Sequence, residues 1–291
     1  MDGILIINKP KGRTSHDIVA KVKRIVGNKV GHTGTLDPNA TGVLPLLIGK
    51  GTLCSQYLME HDKMYEVVLK LGIKTDTADS EGSIIEEKDV VLEKLSEKNV
   101  INVLKSFLGK QEQIPPIYSA IKVKGKKLYE YARSGQNVEL KPRQIEIYRC
   151  ELNKINSEEN EIYFTVHCSK GTYIRSLCED IAIKLNTIGY MKELNRVKVG
   201  KFEIDEAITV EELEKNILNE EFLIKHFITV ETLFEEAKAI TVKDNRIKHL
   251  LNGVKLSFDL EDGLYKIYDE KRKFIGIGSI KNKLLKREII I

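Results

Sequence analysis

Residues 31–45 read Gly31-His32-Thr33-Gly34-Thr35-Leu36-Asp37-Pro38-Asn39-Ala40-Thr41-Gly42-Val43-Leu44-Pro45, and this run constrains the backbone more than any other in the chain. Glycines at 31, 34 and 42 open conformations that a side chain forbids. Pro38 fixes its own φ and pushes the preceding Asp37 away from the helical region. A single carboxylate surrounded by such residues is held rather than loose, so the run reads as a catalytic loop. An ordinary surface turn collects the same residue types, and only their order discriminates.

Further segments follow in a consistent order. They are Gly3-Ile4-Leu5-Ile6-Ile7-Asn8-Lys9-Pro10-Lys11-Gly12, Lys63-Met64-Tyr65-Glu66, Leu71-Gly72-Ile73-Lys74-Thr75-Asp76-Thr77, Gln113-Ile114-Pro115-Pro116-Ile117-Tyr118-Ser119-Ala120, Lys170-Gly171-Thr172-Tyr173-Ile174-Arg175-Ser176-Leu177 and Leu194-Asn195-Arg196. Together with the Asp37 run they resemble the tRNA pseudouridine synthase B family over about the first two thirds of the chain. Two positions depart from its pattern: Thr35 stands where the family often has a small apolar residue, and Leu53 where it often has a lysine.

The resemblance implies an α/β fold of the α+β type: a pseudouridine synthase fold whose mixed, largely antiparallel central sheet is flanked by helices, plus a small β-rich, PUA-like C-terminal domain. It divides the chain into a catalytic domain, 1–237, with an RNA-clasping insertion at about 110–143, and an RNA-binding domain, 238–291. The implied reaction is the isomerisation of uridine-55 in the T-loop of tRNA, with the T-arm stem-loop as partner, no cofactor, no metal and no nucleotide. A monomer is expected.

Breaking a C–N glycosidic bond and remaking it as C–C involves no net redox change and no phosphoryl transfer. By the resemblance Asp37 is the catalytic carboxylate, ionised either to attack carbon or to take a ribose proton. Burial under a nucleotide would raise its pKa, so a nearby arginine is needed, and Arg175 matches the family's. Tyr65 matches the active-site tyrosine, with a ring able to stack on uracil. A stacked T-loop base must be extruded to reach a carboxylate, and His32 matches the family's space-filling histidine. Gly34, Thr35, Tyr173, Leu194 and Arg196 complete the expected substrate contacts. Lys122, Lys124, Lys126, Lys127 and Arg143 are expected to hold phosphates, which positions RNA without specifying it.

The net charge of +4 is too mild to identify a nucleic-acid partner. Its distribution says more. Residues 120–143 hold seven Lys and Arg against two acids, and residues 241–291 hold twelve against seven, while 203–237 is acidic. The 42% hydrophobic and 31% charged content is that of a soluble globular chain, without an apolar run of membrane-spanning length. The N-terminus enters an apolar strand without the succession of a secretory signal, so residence in the cytoplasm is expected. Four cysteines without a Cys-x-x-Cys pair suit reduced core thiols.

Periodicity supplies the elements. Thr14 or Ser15 caps a helix with Ile18, Val22 and Ile25 on one face and Gly27 at its end. Tyr65, Val67, Leu69 and Leu71 alternate as a half-buried strand. The spacing predicts a helix over 91–108, a short one over 127–133, and strands at 145–152 and 162–168 flanking a polar turn, 153–160. Ile174, Leu177, Cys178, Ile181 and Leu185 form a helical stripe with Arg175 beside it. Thr209 and Glu212 make a capping box opening the acidic stretch, expected as linker. Strand-like pieces at 264–268, 274–278 and 288–291 suggest the β-rich end.

Other chemistries fit less well. A P-loop ending at Thr52 would require its first glycine at Leu44 and a Ser or Thr at Gly51. The six histidines form no pair at metal-ligating helical spacing. The alternative to an enzyme is a non-catalytic RNA-binding or tRNA-folding protein, because Gly31-His32-Thr33-Gly34 also satisfies the GXXG loop of KH modules.

Overall fold

Gly3–Lys9 and Thr41–Ile48 are nearly continuous apolar runs because both of their faces are covered. Leu5, Ile7, Leu44, Leu46 and Ile48 face the Ser15–Val26 helix, and Ile4, Ile6, Val43 and Leu47 face Val199 and Phe202. The computed structural model describes residues 1–291 apart from Ala120, Lys124, Gly135, Asn137 and Glu139. For Leu92, Lys94, Lys122, Lys127, Tyr129, Ala132 and Arg133 it describes the backbone alone.

These two strands belong to a ten-stranded mixed sheet. Its spatial order is Phe227–Thr229, Gly3–Lys9, Thr41–Ile48, Gly189–Val199, Lys63–Leu71, Glu161–Cys168, Arg143–Asn156 and Gly109–Gln113. Val30–His32 pairs beside Thr41–Ile48, and Phe202–Glu203 folds back on Gly189–Val199. Within this sheet the described strands pair antiparallel except at one seam, where Thr41–Ile48 runs parallel to Gly189–Val199 through Asn195↔Thr41 and Arg196↔Gly42. Gly42 is required there: its φ is 104°, and a Cβ would lie 2.2 Å from the Arg196 carbonyl oxygen. The Asp37 run enters the sheet at this seam.

On the far side of the seam Tyr65, Val67, Leu69 and Leu71 point into the core, as their alternation predicts. The Ile174–Lys184 and Glu97–Lys105 helices cover that face. Thr14 caps the Ser15–Val26 helix and Gly27 ends it in the left-handed conformation. All four cysteines are buried and free.

Three expectations need correction. The helix over 91–108 is two pieces, a 3-10 turn at Leu92–Leu95 and an α-helix at Glu97–Lys105, because Ser96 between them is extended. The hairpin strand continues to Asn156, so the turn is only 157–160, closed by Asn160 with a φ of 51°. The acidic stretch is not a linker. Phe227–Thr229 forms the sheet edge beside Gly3–Leu5, and Val210 and Leu213 of the Thr209-capped helix are buried against the Ser15–Val26 helix.

The last part of the chain makes a separate five-stranded sheet in the order Lys238–Thr241, Gly263–Tyr268, Phe274–Lys281, Leu284–Ile290, Leu256–Ser257. Ile240, Val242, Leu250, Tyr265, Ile267 and Leu285 form its core. Ile277 and Ile289, on its other face, pack on Cys54 and Val230 of the first part. The expected pieces at 264–268 and 274–278 lie in its strands, and that at 288–291 does so up to Ile290. Lys238–Thr241 and Leu256–Ser257 are too short for sequence periodicity to reveal.

Candidate active site

Every end of the Asp37 run is tied to the body of the protein. Ser15 Oγ accepts from the Leu36 amide at 2.9 Å and donates back to the Leu36 carbonyl at 3.2 Å. The Thr33 amide donates to the Pro45 carbonyl, and the Ala40 amide closes a turn onto the Asp37 carbonyl. Lys9 is fully buried beneath the loop and donates to the carbonyls of Pro10, Arg13 and Pro38 at 2.9, 2.6 and 2.9 Å. Burial brings its ammonium pKa down to about 8, against the pull of Asp37 and Glu81.

Asp37 presents its carboxylate to Arg175, with Nε at 3.1 Å from Oδ2 and Nη2 at 3.3 Å from Oδ1. Arg175 is the second residue of the Ile174–Lys184 helix and is itself buried. Its other N–H groups reach Asp79 Oδ2 at 3.5 Å, the Thr77 carbonyl at 3.4 Å and the Tyr118 carbonyl at 3.0 Å. Three of these contacts are hydrogen bonds and two are ion-pair contacts, and together they orient the guanidinium from several segments at once. Burial pushes the Asp37 carboxyl above its ordinary range. Arg175 and Lys9 oppose that shift and Asp79 adds to it.

Beside the pair lies a cavity of about 110 Å³, lined by Thr35, Leu36, Asp37, Tyr65, Thr172, Tyr173, Ile174, Arg175, Met191 and Leu194. It is smaller than the roughly 150 Å³ cavity that holds a benzene ring elsewhere, so it has room for at most one small ring. Tyr65 is buried in its wall, and burial pushes its phenol up to about 12. The nearby Arg196 charge pulls the other way, against the larger effect of burial. At neutral pH the tyrosine is therefore an uncharged ring.

The structure thus brings together Asp37, Tyr65, Arg175, Thr35, Tyr173 and Leu194 around one cavity. Arg196, expected to touch substrate, is elsewhere: it is 1% exposed and donates to the carbonyls of Val43 and Gly34 at 2.8 and 2.9 Å. A side chain so enclosed cannot meet RNA phosphate; it braces the loop. Gly34 is exposed but outside the cavity lining. His32 also stands outside, its ring edge-on to His16 at 5.4 Å. Its Nδ1 is buried without a partner, and burial holds its pKa below the ordinary value. Lys126 and Arg143 are exposed and apart from the cavity. Lys122 and Lys127 lie in a short ribbon, Lys122–Val123 paired with Lys126–Lys127, and Lys124 lies outside the described residues.

Sequence reasoning missed Asp79 and the tasks of Lys9 and Met191. Lys9 sits inside a segment that carried the family resemblance, which was its one signal. Asp79 follows the segment ending at Thr77 and has no local mark; its value comes from meeting Arg175, far away in the chain. The GXXG reading also fails here. Gly31 lies in the Val30–His32 strand, and the Gly34 carbonyl is capped by Arg196, so no pair of helices flanks a free backbone clamp.

Turning a uracil about its sugar calls for an aimed carboxylate and room for one ring, and this cavity offers both, which places the chain among the pseudouridine synthases. Family comparison narrows that class. Residues 22–174 match the TruB family pseudouridylate synthase N-terminal domain, 175–235 the tRNA pseudouridylate synthase B C-terminal domain, and 239–286 the C-terminal domain of pseudouridine synthase II TruB. The chain belongs to the TruB family. It is 45% identical to the tRNA pseudouridine synthase B of Clostridium kluyveri over 97% of this chain and 96% of that protein. It is 42% identical to that of Aquifex aeolicus over 98% of each. Among solved structures it resembles a chain of an H/ACA RNP bound to a substrate RNA containing 2′-deoxyuridine, with a TM-score of 0.70 and 25% identity over 99% of this chain and 84% of that one. A chain of a Cbf5-Nop10-Gar1 complex is similar, with a TM-score of 0.71 and 26% identity over 99% of this chain and 84% of that one.

Proposed function

We propose that this protein isomerises uridine-55 in the T-loop of tRNA to pseudouridine, with Asp37 as the group that attacks or deprotonates the nucleoside. The observation that carries the reading is the two-point grip of Arg175 on Asp37 at the end of a cavity sized for at most one small ring. A uridine stacked in a folded T-loop enters that cavity only after extrusion. Tyr65 and Leu194 then wall the ring, and His32, outside the cavity lining, fills the space the base has left. Arg196 keeps Gly34 in place.

The exposed basic residues of the 110–143 insertion, Lys126 and Arg143 among them, hold backbone phosphates. The catalytic domain ends at residue 237, and 238–291 is an RNA-binding appendage that adds affinity for tRNA. No helix among the described residues is long and apolar enough to cross a membrane, and the enzyme works on tRNA in the cytoplasm as a monomer.

The test is tritium release from C5 of uridine in an unmodified tRNA transcript, comparing wild type with Asp37→Asn and with a transcript lacking the T-loop uridine. Release by wild type alone, and only from the intact T-loop, is expected. Tight binding of tRNA without release would move the assignment to an RNA-binding or RNA-folding protein.

A further inference from the structure

Gln113 is the last residue of the Gly109–Gln113 strand, where the chain leaves the sheet for the insertion. It is 5% exposed. Its carboxamide lies against the backbone of Tyr173: Nε2 donates to the Tyr173 carbonyl at 3.0 Å, and Oε1 accepts from the Tyr173 amide at 2.8 Å. The orientation of the amide is determined by these partners, since a flipped group would face oxygen with oxygen and N–H with N–H. A side chain here pairs with both the backbone N–H and the backbone C=O of one residue, as a residue of a neighbouring strand would.

The place of that residue gives the bonds their meaning. Tyr173 is the N-cap of the Ile174–Lys184 helix and supplies no side-chain cap of its own, and Arg175 stands two residues further on. Two more bonds stitch the same turn to the chain after Gln113. Ser176 Oγ donates to the Ile114 carbonyl at 2.9 Å, and Arg175 Nη2 donates to the Tyr118 carbonyl at 3.0 Å. Gln113 is thus the buried end of a seam between the insertion's root and the turn that carries the guanidinium.

We propose that Gln113 is a positioning residue for the isomerisation: its two-way amide bond fixes the first turn of the Ile174–Lys184 helix and so sets how Arg175 grips Asp37. This rests on the pseudouridine-forming reading of the same site. Catalytic groups must be held within about 0.5 Å of productive geometry, and a displacement of about 1 Å can cost on the order of a hundredfold in rate. The contacts between Arg175 and Asp37, at 3.1 and 3.3 Å, are already at the long end of the charge-assisted range, so a further drift would break them. Releasing the Tyr173 backbone lets the turn, and with it the guanidinium, drift.

The experiment follows single-turnover tritium release across pH for wild type, Gln113→Ala and Gln113→Glu in the full chain, with tRNA Kd and thermal melting measured in parallel. Gln113→Glu keeps the shape and the acceptor for the Tyr173 amide but turns an oxygen toward the Tyr173 carbonyl. Around Asp37 stand Arg175 and Lys9, which favour its ionisation, Asp79 and Glu81, which oppose it, and the neutral Tyr65. Loosening Arg175 alone therefore moves the acidic limb to higher pH, by about half a unit or more. Both variants are expected to slow by about tenfold or more, with that limb shift, while tRNA Kd stays within about twofold. Rates within about twofold of wild type overturn the proposal, as does a slower rate with the limb unmoved, which would make Gln113 a stability residue only. If Gln113→Ala does not fold, Gln113→Glu decides by the same criteria. A wild type that releases no tritium would instead overturn the isomerase reading itself, and this proposal with it.

Discussion

Arg175 and Asp37 meet side-on, Nε to Oδ2 at 3.1 Å and Nη2 to Oδ1 at 3.3 Å, although 138 residues separate them in the chain. A fork that engages both oxygens fixes the plane of the carboxylate as well as its position. The side chain of Asp37 keeps 34% of its surface exposed, while that of Arg175 keeps 9%. The anion is thus partly open and its counter-ion enclosed, which is the arrangement a group that must reach substrate requires.

The charges around this pair predict pH shifts of opposite sign. Asp37 must be ionised to act, so the acidic limb of the rate profile follows its pKa, which burial holds above the ordinary value. Arg175→Lys loses the fork, should move the limb to higher pH, and should cut the single-turnover rate by about a hundredfold. Asp79→Asn removes a charge that opposes ionisation and should move the limb to lower pH, even while the rate falls because Arg175 loses a partner. Tritium release between pH 4 and 8 checks both, and limbs moving in the same direction would refute the charge arrangement.

Lys9 should set an alkaline limb. Its ammonium, with a pKa near 8, has three N–H donors for three carbonyls below that pH and two above it. Deprotonation therefore loosens the Asp37 loop as pH rises through about 8. The Tyr65 phenol, at about 12, is too high to produce this limb. Lys9→Met should be slower at every pH and should lack the inflection; a profile that keeps it assigns the limb to another group.

Arg196→Met is expected to destabilise the fold. Methionine leaves the Val43 and Gly34 carbonyls without the donors they have now. Buried acceptors left unpaired cost about 1–3 kcal/mol each, so the melting temperature should fall by about 5 °C or more. Calorimetry of the purified variant tests this. An unchanged melting temperature would show that water replaces the guanidinium.

Ending the chain at residue 237 should weaken tRNA binding more than chemistry. The five-stranded sheet carries basic residues away from the cavity, and its removal uncovers the apolar contact of Ile277 and Ile289 with Cys54 and Val230. Filter binding should show a higher Kd with a shallower salt dependence, while the single-turnover rate at saturating tRNA stays within about threefold of the full chain. Unchanged affinity would remove the RNA-binding role of this part.

The residues that announced themselves in the sequence did so through local rules. The alternation at Tyr65, Val67, Leu69 and Leu71 and the stripe from Ile174 to Leu185 report which face is buried, because strand and helix periods repeat over a few residues. The Asp37 run is legible for the same reason: glycine and proline restrict the backbone at their own positions. Local rules also mislead where an element is interrupted or recruited. Ser96 breaks a stripe that looks continuous, and Phe227–Thr229 becomes a sheet edge inside a stretch that reads as linker.

By itself, then, the sequence determined that a restrained carboxylate sits in a loop at 31–45, which faces of the main strands and helices are apolar, and that the chain carries the marks of its family. The family resemblance named Arg175 as the partner of that carboxylate; the tertiary structure alone decided how the two meet and what else surrounds them. Asp79, Lys9 and Arg196 are spread along the chain, and their charges carry no sign of their partners until the parallel seam at Arg196↔Gly42 brings the two halves of the sheet together. Periodicity encodes burial over neighbouring residues, whereas a guanidinium's orientation is set by acceptors that only packing can deliver.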